Sequence, residues 1–237
     1  MTRLERRIRE RFVKAFATYS LLADGDHVLV GLSGGKDSLC LVEMLGRRAK
    51  IHHPRFTVEA IHVRMTGVDY QTSTDYLEQF CREQDVPLHI VTASISPDRP
   101  SPGPKPVCFL CSWQRRKQMF NLAQELGCNK IALGHHQDDL LTTALMNLFF
   151  QSHFETMPAC LQMKKMPLQI IRPLCLVEEA DISRYAQLRG YEKLVKLCPH
   201  ENVTQRTAMR QLLDSVIAKN PEARHSLWNA LIREGKI

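Results

Sequence analysis

The chain has 237 residues, 44% hydrophobic and 24% charged, with a formal net charge of +7. This is the composition of a folded globular protein, not a disordered or fibrous one, and the length suits one sizeable α/β domain with additions. No run reaches the roughly 18 apolar residues of a membrane helix, and the opening MTRLERRIRERFVKAF lacks the apolar core of a secretion signal, so a cytoplasmic location is expected.

Residues 4–22 repeat Leu4, Ile8, Phe12 and Phe16 at helical spacing. The opposite face carries Arg3, Arg6, Arg7, Arg9, Arg11 and Lys14, either as a solvated face or as a contact for a phosphate backbone. After the turn Asp24-Gly25-Asp26, residues 27–32 (HVLVGL) read as a buried strand and 38–48 as a helix with Leu39, Val42 and Leu45 inward. A strand at 56–63, a helix at 73–84 and a strand at 88–92 follow. Strand–helix alternation implies a doubly wound parallel sheet covered on both faces.

Five prolines between 97 and 106 exclude helix and central strand, leaving a long loop over 94–107. Cys108-Phe109-Leu110-Cys111 comes next, then a helix to Leu126 stopped by Gly127. Residues 129–134 form a further strand, and 138–150 a buried helix with Asp138 as its N-cap. A strand at 168–171 and helices at 178–188, 203–219 and 222–233 complete the chain.

Three blocks carry chemistry. The first is Ser33-Gly34-Gly35-Lys36-Asp37-Ser38, between strand and helix. It is not a Walker A loop: Val30 stands where the first glycine is needed and Asp37 where Ser or Thr must follow the lysine. It is nonetheless an anion cradle. The glycines let backbone N–H groups turn inward, the helix start adds its own N–H groups, and the Ser33 and Ser38 hydroxyls join them. Asp37 makes sense there if a divalent cation accompanies the anion.

The second block, Gly134-His135-His136-Gln137-Asp138-Asp139, follows a strand and puts carboxylates at the crevice of the sheet, where they could hold Mg²⁺ against phosphate. The third is Cys108-x-x-Cys111 with the distant Cys198. In a reducing compartment such cysteines are more often metal-binding or catalytic than bridged. They fit half a zinc site, a redox dithiol, or three ligands of a [4Fe–4S] cluster with one iron left open. Cys40 and Cys81 fall on apolar helix faces and read as core, while Cys128, Cys160 and Cys175 have no assignment.

SGGKDS resembles the PP-loop of the ATP pyrophosphatase superfamily, which cleaves ATP between its α- and β-phosphates. With GDHVLVGLSGGKDS, the CxxC followed by WQRRKQMFNLAQELGCNKIALGHHQDD, the MP…IIRPL run and LCPHENVTQR, residues 4–206 resemble the tRNA 2-thiocytidine synthetase family, which thiolates cytidine 32 of the anticodon loop. The resemblance implies an adenine nucleotide α-hydrolase fold and an ATP- and Mg²⁺-dependent sulfurtransferase. Its cluster ligands map to Cys108, Cys111 and Cys198, and its reacting centre to Asp37, Arg115 and Asp138. The nucleotide would lie on Ser33, Gly34, Gly35, Lys36, Asp37, Ser38 and Gly134, with the adenine near His62 and Met65. The implied partners are tRNA, a sulfur donor such as a cysteine desulfurase or sulfide, and a second copy in a homodimer. Pro199 and His200 depart from the family pattern, and His200 is a candidate cap for the fourth iron. The expected organisation is a basic helix over 1–22, the PP-loop domain over 23–200 and C-terminal helices over 201–237. Two other readings fit the residues: another PP-loop tRNA-modifying enzyme, acting on a different base or by amination or lysidine formation, and a non-enzymatic, metal-stabilised RNA-binding protein.

Overall fold

The computed structural model describes residues 1–51, 53–67, 69–70, 73–94, 107–197 and 205–237. Within them the order is α1 (Arg3–Tyr19), β1 (Asp26–Gly31), α2 (Lys36–Ala49), β2 (Phe56–Met65), β3 (Asp69–Tyr70), α3 (Asp75–Glu83), β4 (Leu88–Ala93) and α4 (Val107–Glu125). Then come β5 (Lys130–Ala132), α5 (Gln137–Gln151), β6 (Cys160–Gln162), β7 (Gln169–Ile171), α6 (Glu179–Arg189), β8 (Lys196–Leu197), α7 (Gln205–Lys219) and α8 (Ala223–Arg233). No helix among the described residues is long and apolar enough to cross a membrane.

The main sheet runs β4-β2-β1-β5-β7-β6. All its pairings are parallel except β6 on β7. The alternation of side chains across a strand assigns the two faces. Val28 and Val30 of β1 join a core with Leu39, Leu41 and Leu45 of α2, whereas Leu29 joins a second core with Ile61, Val63 and Ala123, the last from α4. The sheet is therefore covered on both sides, as a doubly wound fold requires. Ile8 and Phe12 of α1, Leu213 of α7 and Trp228 and Leu231 of α8 belong to the first core. Cys40, Cys81, Cys128 and Cys175 are buried.

Three strands and one helix cap differ from the sequence reading. The antiparallel edge strand β6 and the two-residue ribbon β3–β8 carry too few residues for a period-two pattern to register. Asp138 does not cap its own helix. His136 is the N-cap of α5, with Asp139 accepting the His136 backbone N–H at 3.0 Å, and Asp138 is the second residue of the helix. The proline-rich loop and the start of the expected helix at 203 lie mostly outside the described residues.

Candidate active site

The strand order reverses between β1 and β5, which opens a crevice beyond their carboxyl ends. Ser33–Ser38 leave β1 there, and His135–Asp139 leave β5. Gly34 has φ +83°, a conformation that favours glycine. Its carbonyl accepts the Leu194 backbone N–H at 3.0 Å. Gly35 is the N-cap of α2, and no side chain caps the helix there, so its first-turn N–H groups face the crevice as an anion cradle does. The Ser33 and Ser38 hydroxyls lie 3.1 Å apart beside it. A side chain at Gly134 would meet the backbone of Asp37 and Ser38 at 3.2 Å, so glycine lets β5 come up against the cradle.

Charged side chains from five helices, α2, α5, α6, α7 and α8, meet at this point. Lys36 Nζ lies 2.8 Å from Glu179 and 3.2 Å from Asp37. Burial lowers the Lys36 pKa, but the Glu179 and Asp37 carboxylates outweigh it and hold it above the usual lysine value. Burial raises Asp37 above the ordinary carboxylate value despite His136 and Lys36 nearby. Asp138 is 1% exposed; Oδ2 accepts the Glu179 backbone N–H at 2.7 Å, and Oδ1 meets Arg224 at 2.6 Å and Arg210 at 3.4 Å. Burial works against its ionisation, yet the Glu179 N–H, Arg224 and Arg210 outweigh it and hold the Asp138 pKa low. Asp138 thus ties α5 to α6, α7 and α8. Arg206 pairs with Asp139 at 2.6 Å. None of Glu178, Glu179, Arg206, Arg210 and Arg224 was among the expected site residues, because their partners lie far away in sequence.

Next to the cradle is a cavity of about 300 Å³. Its apolar wall is Ile61, Val63, Met119, Leu133 and Leu194, and its polar groups include Ser33, His62 and Arg115. His62 Nδ1 lies 2.8 Å from the Leu32 carbonyl oxygen, and burial holds its pKa below the usual histidine value. Val63, not Met65, lines this wall; Met65 is 2% exposed in the second core. Arg115 lines the cavity with its Nε buried and without a hydrogen-bond partner among the described residues.

Cys108 and Cys111 are the second and fifth residues of α4, inside the helix and not ahead of it. Three residues apart, they share one helix face, Cys108 exposed and Cys111 half-buried. Arg115 follows Cys111 by one turn, about 6 Å along the axis. Cys198 lies outside the described residues. Among the described residues no group of three or more His, Cys, Asp or Glu side chains is arranged to hold a metal ion. The two thiols lie on one face of α4, about one and two turns before the cavity-lining Arg115, and are of the donor type that could supply two ligands of an iron–sulfur cluster.

The chain is similar to known proteins in both sequence and structure. A family model described as a PP-loop domain matches residues 2–215. A tRNA-cytidine(32) 2-sulfurtransferase of Acinetobacter baumannii is 34% identical over 97% of this chain and 76% of its own length. A Francisella tularensis protein, tRNA-cytidine(32) 2-sulfurtransferase 1, is 34% identical over 98% of this chain and 87% of its own. In structure, the chain resembles the U34-tRNA thiolase NcsA from Methanococcus maripaludis, solved with its [4Fe-4S] cluster, with TM-score 0.74, 24% identity, and 95% and 78% of the two chains covered. An NH3-dependent NAD synthetase from Campylobacter jejuni shares the fold at TM-score 0.51 and 11% identity, over 99% of this chain and 96% of its own. This chain is an enzyme that belongs to the PP-loop family of tRNA-cytidine(32) 2-sulfurtransferases.

Proposed function

We propose that this enzyme uses ATP to replace O2 of a cytidine, position 32 of a tRNA anticodon loop, by sulfur. The observation that carries this reading is the adjacency of anion cradle, cavity and cysteine pair: Arg115 lines the cavity beside the cradle, one helical turn from Cys111. The β- and γ-phosphates lie on Ser33–Ser38 and the adenine against Ile61, Val63 and Leu133. Cytidine O2 attacks the α-phosphorus; the O2–P bond forms, the bond to the β-phosphate oxygen breaks, and pyrophosphate leaves. Hydrosulfide, supplied as such or released from a desulfurase persulfide by a thiol reductant, then adds at C2; the C2–O2 bond breaks with AMP as leaving group, and the sulfur's proton goes to solvent.

The side chains position and neutralise charge, which dominates phosphorus-centred displacement. Lys36 and the α2 N-terminus meet the leaving pyrophosphate, and Arg115 the adenylate. Asp37 would hold Mg²⁺. Asp138 supports the site by fixing α6 and α8. Cys108, Cys111 and Cys198 would hold a [4Fe–4S] cluster, which when bound supplies an iron position able to carry sulfur from a desulfurase or sulfide. A single-stranded anticodon loop lets the base leave its stack at low cost. Homodimerisation and a cytoplasmic location go with this reading.

Anaerobic purification with iron, sulfide and zinc analysis, followed by a thiolation assay on unmodified tRNA with mass spectrometry of nucleosides, tests it. About four irons per chain and 2-thiocytidine formed only with ATP are expected. A colourless zinc protein, or sulfur appearing on another base, would refute it.

A further inference from the structure

Glu179 bridges two cations. Its Oε1 lies 2.8 Å from Lys36 Nζ and its Oε2 2.5 Å from an Arg210 terminal nitrogen. Lys36 belongs to the cradle and Arg210 to α7, so one carboxylate spans the gap between the nucleotide loop and a helix from the far end of the chain. We propose that Arg210 is a phosphate-binding residue of the nucleotide site, and that Glu179 holds Arg210 and Lys36 in place until a polyphosphate takes both cations. This rests on the reading of the cradle as an ATP site.

Three features single out this pair. The first is the field. The N-termini of α2, α5 and α6 meet here, and beside the first-turn carboxylates Asp37, Asp138, Asp139 and Glu179 their positive dipole ends add to Lys36 and the arginines in favouring an anion. The second is accessibility. Side-chain exposure is 32% for Lys36, 26% for Arg210 and 30% for Glu179, so the bridge is open to a competing ligand. Of the neighbouring arginines, Arg224 is tied to Asp138, which is 1% exposed, and Arg206, though 43% exposed, pairs with Asp139 and shares no partner with Lys36. The third is chemistry. A guanidinium fork binds phosphate oxygens in a bidentate, charge-assisted way. A diphosphate offers one oxygen set to Lys36 and another to Arg210, matching the two oxygens that Glu179 uses. The remaining Arg210 contacts, Asp214 at 3.2 Å on the same helix and Asp138 at 3.4 Å, hold the guanidinium near its position during the exchange.

The exchange predicts different effects on three ligands. Pyrophosphate and ATP reach both cations, whereas AMP lacks the phosphates that do. Binding of ATP, pyrophosphate and AMP to the full-length enzyme, measured by titration calorimetry, separates the cases. Arg210→Gln is expected to weaken ATP and pyrophosphate about tenfold or more, the size of a lost charge-assisted bond, while AMP binding changes little. Arg210→Lys is expected to recover part of the pyrophosphate affinity. Glu179→Gln removes the competing carboxylate and is expected to tighten pyrophosphate binding.

ATP and AMP weakened alike in Arg210→Gln would make the residue a structural tie and overturn the assignment, as would unchanged binding of all three ligands. Weaker pyrophosphate binding by Glu179→Gln would overturn the exchange. A wild-type protein that binds neither ATP nor pyrophosphate would instead bring down the nucleotide reading itself, and this inference with it.

Discussion

The backbone N–H of Leu194 donates to the Gly34 carbonyl at 3.0 Å, and a Cβ placed on Gly34 would stand 2.5 Å from the Leu194 Cβ. The segment that leads through β8 towards Cys198 is thereby fastened to the nucleotide loop. Gly34 is thus constrained twice, by its φ of +83° and by this contact. Gly34→Ala is expected to lose about 1–3 kcal/mol of stability from backbone strain and to weaken ATP binding as the loop shifts. A denaturant midpoint and an ATP titration on the same variant check both; an unchanged midpoint would show that the loop yields freely.

Nucleotide and cysteine chemistry are separable by mutation. Asp37→Ala is expected to keep its iron and lose about 10²-fold or more in thiolation rate, the size of a lost preorganised charge. Cys111→Ser is expected to keep ATP affinity and lose iron. Iron content, ATP affinity and thiolation rate measured side by side decide it, and two variants with full thiolation would refute the site.

Glu43 is a fully buried carboxylate on α2. It accepts the Tyr185 hydroxyl at 2.7 Å and the Tyr191 hydroxyl at 2.6 Å, and pairs with Arg47 at 2.5 Å and Arg189 at 3.1 Å. It pins α6 and the segment after it to α2. Removing one member of such a set leaves buried polar groups unpaired, so Glu43→Ala is expected to cost about 3–5 kcal/mol in chemical denaturation. Tyr191→Phe removes a single hydroxyl and is expected to cost about 1 kcal/mol. Equal losses from the two variants would rule out a shared node.

Burial, aided by Arg172, pushes the His135 pKa from 6.5 down to about 4. The unfolded chain then binds more protons than the native one between those values, so stability is full above pH 6.5 and falls as the pH drops towards 4. The shift corresponds to about 3 kcal/mol at most. His135→Gln is expected to flatten the stability–pH curve across that window; a wild-type curve already flat there would refute the assignment.

The basic face of α1 divides in the structure. Arg7 pairs with Asp181, and Arg11 with Glu178 at 2.6 Å, so both arginines hold α1 on α6. Arg3, Arg6 and Arg9 stay exposed, as do Arg116 and Lys117 of α4. Arg7→Ala is therefore expected to lower stability and leave the salt dependence of tRNA binding unchanged. Arg6→Ala is expected to reduce the magnitude of the log–log salt slope by about 0.7–0.9 if it meets a phosphate. Affinities measured over a salt series distinguish the two.

Local patterns carried much of the fold. Leu39, Val42 and Leu45 mark the buried face of α2, and the apolar runs around Val28–Val30 and Val58–Val63 mark central strands, because burial leaves a periodic trace in the residues themselves. β3, β6 and β8, of two or three residues each, left no such trace, whereas β5 and β7, three residues each, were legible from the apolar residues at 131–133 and 168–171. Asp138 shows where local reading stops. In sequence it looks like the cap of its own helix, yet its carboxylate receives the backbone N–H that starts α6.

The sequence by itself determined the family and the class of enzyme. Ser33–Ser38, His135–Asp139 and the Cys108–Cys111 pair are each contiguous, so a local pattern makes them visible as motifs. Only the tertiary structure decided the electrostatic partners. Glu179 reaches Lys36, Arg210 reaches Glu179, Arg224 reaches Asp138 and Leu194 reaches Gly34 across long stretches of chain. The physical reason is that Coulomb and hydrogen-bond energies depend on distance in space, which sheet order and helix docking set and which no local pattern encodes.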